Sequence, residues 1–406
     1  MKDAPKKKTK WMRPRHRLVR NVVYLLLYPY CRIVYRLRVK RFKEQEKRPY
    51  LILLNHQTPF DQFFVGMSFK GPLYYLATED IFSNGFISSV IRYLIAPIPI
   101  KKQTLDLKAI KTCFAVAREG GSIVIAPEGN RTYSGQTEYM NPSIAPLARK
   151  LGMPIVLYRI EGGYGTEPRW SDVIRRGGIK SYVSRVISPE EYANMSDDEL
   201  FEAIRTELYV NEAVVDGVYE HKKRAEYLER AVYVCPTCGL SRFESHGDTV
   251  TCERCGLRVR YLPTKQLEGI DSDFPFPFVL EWYNYQKDYI NALDVLAYVD
   301  APMYEESVAL WRVIPYKKKV LECDGTTVRL YGDRITLTTD KADMTLPFDE
   351  VSAVVVLGKN KLNVYHGNDL WQFKGGKRFN ALKYVHIYHR YQNVKKGDAH
   401  GKFLGL

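Results

Sequence analysis

No part of this sequence holds the roughly 20 consecutive apolar residues that a membrane-spanning helix needs. The nearest approach, Val22 to Cys31, is an uninterrupted apolar core of ten residues with Pro29 inside it. Basic charge is equally scarce where a nucleic-acid binder would need it. The formal net charge is +15, but residues 1–48 hold 17 Lys/Arg against 3 Asp/Glu and account for +14 of it. Only +1 is left for the rest of the chain, so the basicity is a terminal patch and not a property of the folded body. Also missing are a tandem repeat, a long low-complexity segment and an A-x-A-like cleavage site after the apolar stretch. The last of these weighs against a cleaved signal peptide. What remains is a chain of 406 residues with 45% hydrophobic content, enough for two or three packed domains.

The basic end brackets "LVRNVVYLLLYPYCRIVYRLRVKRF", in which Arg20, Arg32 and Arg36 flank the apolar core and Tyr24, Tyr28, Tyr30 and Tyr35 are interleaved. Tyrosines favour the headgroup boundary, and each Lys or Arg near an anionic surface contributes about 1 kcal/mol. Residues 1–48 therefore read as an amphipathic anchor that lies on or shallowly inserts into an anionic membrane. A disordered basic arm before a buried helix is the competing reading.

Seven cysteines are present, four of them in "CPTCGL" and "CERCGL". Cys235, Cys238, Cys252 and Cys255 form two C-x2-C knuckles, the ligand spacing of a zinc ribbon. Four thiolates close a tetrahedral shell, so the expected zinc is structural. Gly239 and Gly256 allow the tight turns that aim each pair at one ion. Reduced thiolates point to an intracellular compartment, which discounts "NRT" at Asn130 as a glycosylation site. Cys31, Cys113 and Cys323 read as small packed residues.

From residue 49 to about 215, apolar runs ("YLILLNH", "PLYYLATED", "GGSIVIAPEG", "GMPIVLYRI") alternate with segments of helical period. That alternation predicts an α/β layer fold with a mostly parallel sheet flanked by helices. The expected organisation is a membrane-anchoring segment at 1–48, the α/β domain at 49–215, a helical linker at 216–232 ("YEHKKRAEYLERAVY"), a four-cysteine zinc ribbon at 233–262 and a helical connector at 263–303. Residues 304–406 show eight short strand-like runs and a final helix. That order resembles pleckstrin-homology-like or GRAM-like modules and implies a small β-rich domain.

The chemistry-bearing residues sit after two of the apolar runs, where ligands bind in such sheets. In "NHQTPFD", His56 and Asp61 could meet only if His56 lay in a loop before a helix, because five helical residues turn the pair some 140° apart. Thr58 as N-cap and Pro59 as first helical residue would supply that geometry. A carboxylate so placed can orient an imidazole that takes a proton. Yet Thr58-x-x-Asp61 is equally a capping box, and the stretch alone leaves both readings open. In "APEGNRT", Gly129 permits a tight turn and Arg131 offers a planar fork suited to phosphate. Glu128 could hold that fork or accept a substrate hydroxyl. "IPIKK" ends an apolar segment with Lys101 and Lys102, which would add positive charge; Gly85 to Ile100 is either the apolar wall of a site or simple core.

Together these segments resemble the 1-acyl-sn-glycerol-3-phosphate acyltransferase family. "NHQTPFD" matches its H-x4-D motif, and "PEGNRT" about 70 residues later is similar to its P-E-G-T-R-S motif. "IPIKK" and "GMPIVLYRI" stand where the family has its second and fourth blocks. The resemblance covers residues 50–210. It implies that His56 is the general base, that Asp61 sets its tautomer, and that Glu128, Gly129 and Arg131, helped by Lys101 and Lys102, bind the acceptor. It also implies acyl-CoA or acyl carrier protein as cosubstrate, a lysophospholipid acceptor, no covalent acyl-enzyme and no catalytic cofactor. The expected location is the cytoplasmic face of the cell membrane. Two positions depart from the motifs: Asn130 replaces a threonine and Lys102 an arginine, which widens the acceptor to other lysophospholipids. The zinc ribbon and C-terminal module fall outside the likeness and would serve assembly, membrane contact or a protein partner. Two rival readings remain, a non-catalytic lipid or protein scaffold on this fold and a zinc-ribbon nucleic-acid binder. For the second, the near balance of charge around the ribbon predicts no nucleic-acid partner.

Overall fold

The computed structural model describes residues 10–43, 49–100, 106–314, 317–340, 342–398 and 403–405. The chain enters through α1 (Pro14–Val34), which continues through Pro29. A seven-stranded sheet follows, made of β1 (Arg38–Val39), β2 (Leu51–Leu54), β3 (Leu73–Thr78), β4 (Ile98–Ile100), β5 (Ser122–Ile125), β6 (Ile155–Glu161) and β7 (Lys180–Ile187). Its order is β1-β7-β6-β2-β5-β3-β4, and every pairing is parallel except β6 with β7. The central strands β2 ("LILL") and β5 ("SIVI") are buried on both faces. Continuous apolar runs of this kind mark parallel strands covered by helices on each side.

The period-2 alternation divides those strands between two cores. Leu51, Leu53, Ile123, Ile155 and Leu157 face α4 (Leu107–Arg118), α5 (Ile144–Leu151) and α8 (Asp197–Leu208), with α7 (Pro189–Ala193) alongside. Ile52, Leu54, Val124, Val156 and Tyr158 face α2 (Asp61–Ser68) and the end of α1. Between β3 and β4 runs α3 (Phe86–Ile95), and a single turn, α6 (Gly163–Thr166), follows β6. The segment Gly85 to Ile100 is not core along its length: Phe86 is 83% and Ile87 62% exposed on α3.

Beyond the α/β layer, β8 (Val234–Cys235) and β9 (Gly239–Leu240) form one knuckle hairpin. β10 (Phe243–His246), β11 (Thr249–Cys252), β12 (Arg258–Tyr261) and β13 (Leu267–Gly269) form a four-stranded antiparallel sheet. After α9 (Val279–Ala292), seven strands make an antiparallel half-barrel closed by α10 (Leu382–Lys395): β14 (Tyr304–Arg312), β15 (Val320–Leu330), β16 (Arg334–Thr338), β17 (Asp343–Pro347), β18 (Val351–Leu357), β19 (Lys361–His366) and β20 (Asp369–Gly375). Their order is β17-β16-β15-β14-β20-β19-β18. The eight expected strand runs became seven because "KKVLEC" and "TTVRLY" join in β15, whose irregularity is absorbed by register shifts against β14. Cys323 on β15 is only half-buried and donates to Asp340 at 3.4 Å, unlike the fully packed Cys31 and Cys113.

The helix expected over 216–232 is absent; the segment is built of turns around one 3-10 turn at Leu228–Arg230. Tyr227 has φ of 72°, which an α-helix cannot accommodate. Charged residues there are buried in tertiary pairs instead of lining an exposed helix face: Arg230 binds Asp172 at 2.8 Å and Glu229 pairs with Arg378. One apolar core accordingly joins Tyr133 and Trp170 of the α/β layer to Phe243 and Tyr261 of the ribbon and to the half-barrel. Trp170, fully buried, meets Tyr261 edge-on at 5.6 Å. Trp170→Ala is expected to cost about 3–5 kcal/mol, lowering the melting temperature measured by calorimetry. A second, unshifted transition from the half-barrel would show that the core is not shared.

Candidate active site

The loop after β2 is fixed before any chemistry is considered. Asn55, fully buried, donates to the Ile160 carbonyl and accepts from the Ile160 amide, both at 2.8 Å. This two-way clamp to β6 ends the strand and delivers His56 to its carboxyl end. Asp61 then reaches back: its carboxylate accepts from His56 Nδ1 at 2.7 Å, from the Gln57 amide at 2.6 Å, and from the Thr58 amide and hydroxyl at 3.0 and 2.7 Å. Asp61 is 1% exposed, whereas the His56 side chain keeps 28% of its surface. With Nδ1–H donated to Asp61, the His56 Nε2 lone pair is the free basic position.

The helix start differs in detail from expectation. α2 begins at Asp61, and Thr58 to Phe60 form a turn ahead of it. Thr58 Oγ1 accepts from the Phe60 amide and donates to Asp61, so only the carboxylate half of the expected capping box is present. Since Asp61 occupies the first helical position, its carboxylate serves the loop in front of it.

The second segment follows β5. Gly129, with φ of 68°, makes the turn, in a region that favours glycine. Glu128 Oε1 accepts from the His56 amide at 3.0 Å, which ties the two loops together. Glu128 Oε2 is buried and has no partner. Burial pushes the Glu128 carboxyl up to about 8, with the His56 amide opposing the shift. Arg131 is half-buried, and its Nη1 is shielded from water with no partner. Glu128 does not hold the Arg131 fork: no ion pair joins them among the described residues. His56, Asp61, Glu128, Gly129 and Arg131 thus gather at the carboxyl ends of β2 and β5, while Lys101 and Lys102 lie outside the described residues.

Three residues of this neighbourhood were given no role by the motifs. Asn55 acts only through a strand that arrives a hundred residues later. Gln57 is 1% exposed with neither amide atom bonded. Arg169, from the loop after α6, donates to the Arg131 carbonyl at 2.8 Å; nothing near it in sequence marks it.

The cysteine knuckles converge as expected. The four Sγ atoms lie within 4.8 Å of one another, with Cys235–Cys255 and Cys238–Cys252 each at 3.6 Å. Disulfides would need about 2.05 Å. A tetrahedron with Zn–S bonds of about 2.3 Å has edges of about 3.8 Å, so the donor set and its spacing are compatible with structural zinc. Gly239 and Gly256 take φ of 78° and 76° to turn each knuckle.

The raised carboxyl of Glu128 sets a pH dependence. The unfolded chain releases this proton near pH 4.5 and the folded chain holds it to about pH 8, so folding loses stability as pH rises between them. Glu128→Gln removes that loss and retains an acceptor for the His56 amide. Its melting temperature relative to wild type is expected to climb between pH 5 and pH 8 in scanning fluorimetry; a flat difference would rule out a raised carboxyl.

Comparison with known proteins follows the same segment. A family model described as Acyltransferase matches residues 36–160. Among solved structures, the chain is similar to the 1-acyl-sn-glycerophosphate (LPA) acyltransferase PlsC from Thermotoga maritima, at 19% identity over 48% of this chain and 80% of that one, with a TM-score of 0.39. No curated protein matches. Residues 36–160 are thus similar to the acyltransferase family, the segment in which the His56 and Glu128 motifs resemble the 1-acyl-sn-glycerol-3-phosphate acyltransferases.

Proposed function

We propose that this protein moves a fatty acyl group from acyl-CoA or acyl carrier protein to the free hydroxyl of 1-acyl-sn-glycerol-3-phosphate. The observation that carries the reading is the bond from His56 Nδ1 to the buried Asp61 carboxylate, which leaves Nε2 open in a loop tied through the His56 amide to Glu128. In the proposed step the acceptor hydroxyl gives its proton to Nε2 while its oxygen attacks the thioester carbon. The new C–O bond forms, the C–S bond breaks, and the departing thiolate takes the proton back from the imidazolium. Asp61 keeps the ring in one tautomer and balances its transient charge. Base catalysis of this kind contributes about 10²–10⁴-fold; holding the hydroxyl and thioester together supplies much of the rest. Arg131, with Glu128 beside it, would bind the acceptor phosphate.

A membrane-surface setting is supported by two adjoining helices. On α1, Leu18, Leu25, Leu26 and Ile33 are 66–77% exposed, and α3 adds Phe86 and Ile87. Arg15 ties the helices together, donating to the Tyr93 carbonyl at 2.7 Å. No helix among the described residues is long and apolar enough to cross a membrane, so the proposed contact is with one leaflet.

His56→Ala is expected to lower turnover of lysophosphatidate and acyl-CoA by about 10²-fold or more, with the melting temperature nearly unchanged because the ring is partly exposed. Full activity in that variant would refute the assignment. In flotation with phosphatidylglycerol vesicles, Leu25→Glu combined with Phe86→Glu should leave most of the protein at the bottom of the gradient. Flotation equal to wild type would refute this face as the lipid contact.

A further inference from the structure

Arg131 has a neighbour of the same sign. Arg169 is 3% exposed, with Nη1 on the Arg131 carbonyl at 2.8 Å and Nη2 3.5 Å from Asn130 Oδ1 and 3.4 Å from the Val356 carbonyl. Its guanidinium carbon lies 4.4 Å from the centre of the Tyr133 ring. Three of its five N–H donors are used on neutral oxygens, which leaves Nε–H and one Nη1 proton. Neither arginine has a carboxylate at ion-pair distance among the described residues.

The nearby acids are already committed. Glu167 accepts from the Tyr35 hydroxyl at 2.7 Å and faces Lys359 at 3.7 Å. Asp61 is saturated by four donors. Glu128, pushed up to about 8, carries little charge at neutral pH. Arg131 feels Arg169 as a like charge, opposed by Glu167 and Asp61 without an ion pair to either, so an anion that joins both guanidiniums would be stabilising. A phosphate monoester has a second pKa near 6 and is close to a dianion at pH 7. Its oxygens match two planar forks.

We propose that Arg169 is a second cation of the acceptor site, binding with Arg131 the phosphate monoester of the acceptor, and that the half-barrel holds it there through the Val356 carbonyl. This rests on the reading of the His56–Arg131 loops as an acyl-acceptor site. Arg169 lies beyond the segment that matches the acyltransferase family, in the loop that the ribbon and half-barrel enclose. The charge pairing also sets a preference: a monoester offers two charges to two arginines, a lysophospholipid diester only one.

The test uses the full chain with Arg169→Gln and the charge-keeping Arg169→Lys, titrated calorimetrically with glycerol 3-phosphate, inorganic phosphate and coenzyme A. Loss of one charge-assisted contact should weaken glycerol 3-phosphate binding about 10- to 100-fold in the glutamine variant, and less in the lysine variant. In turnover, KM for lysophosphatidate should rise in step while kcat and the acyl-CoA KM hold. The preference for lysophosphatidate over lysophosphatidylcholine should shrink. Weakened binding of inorganic phosphate and glycerol 3-phosphate alike supports a site that reads the phosphate itself. If Arg169→Gln does not fold, Arg169→Lys decides: unchanged affinity and unchanged acceptor KM there overturn the proposal. A rise confined to the acyl-CoA KM or to coenzyme A affinity also overturns it, by assigning the arginines to the donor. Arg169-dependent binding of glycerol 3-phosphate without any turnover supports this site while refuting acyl transfer.

Discussion

One buried carboxylate organises the front of this α/β layer. Asp61 gathers the His56 ring, two loop amides and a hydroxyl from the first position of α2. An asparagine there would offer one acceptor oxygen and would meet the amides with an NH₂ group of their own kind. Order in the loop and orientation of the His56 ring are therefore a single property. The Asn55 clamp on β6 and the Glu128 bond to the His56 amide act on the same loop from its other sides.

The C-terminal half of the chain bears on that site through the loop between α6 and β7. Arg175 in this loop bonds the Tyr261 hydroxyl at 3.2 Å and the Arg224 carbonyl, Arg230 bonds the Trp170 carbonyl at 2.9 Å, and Lys359 faces Asp172 at 3.3 Å. These charged groups are fixed by partners from ribbon, turn segment and half-barrel. A loop of this length would otherwise be mobile, and Arg169 would have no defined place beside Arg131.

Legibility followed the range of the interactions. β2 and β5 read directly, because a strand buried on both faces is an apolar run whatever lies around it. His56, Asp61, Glu128 and Arg131 read because each pair lies within one short motif and the two motifs together resemble a known family. The four cysteines read for the same reason. The 216–232 segment misled: its charges sit at helical spacing, but Glu229 and Arg230 belong to partners about 150 and 60 residues away. Arg169 and Asn55 stayed hidden because their significance comes entirely from distant carbonyls. The exposed apolar face of α3 was half visible, since an apolar run states that a segment avoids water without saying whether protein or bilayer will cover it.

The shared core around Trp170 has a consequence for dissecting the molecule. A cut near residue 215, where the alternating strands and helices end, would strip Trp170 and Tyr133 of the ribbon and half-barrel side chains that bury them. The excised piece would keep both motifs and still display a sticky, unsupported flank. Assays on such a fragment would report its aggregation more than its chemistry. A unit on which this site can be studied has to keep the ribbon and half-barrel.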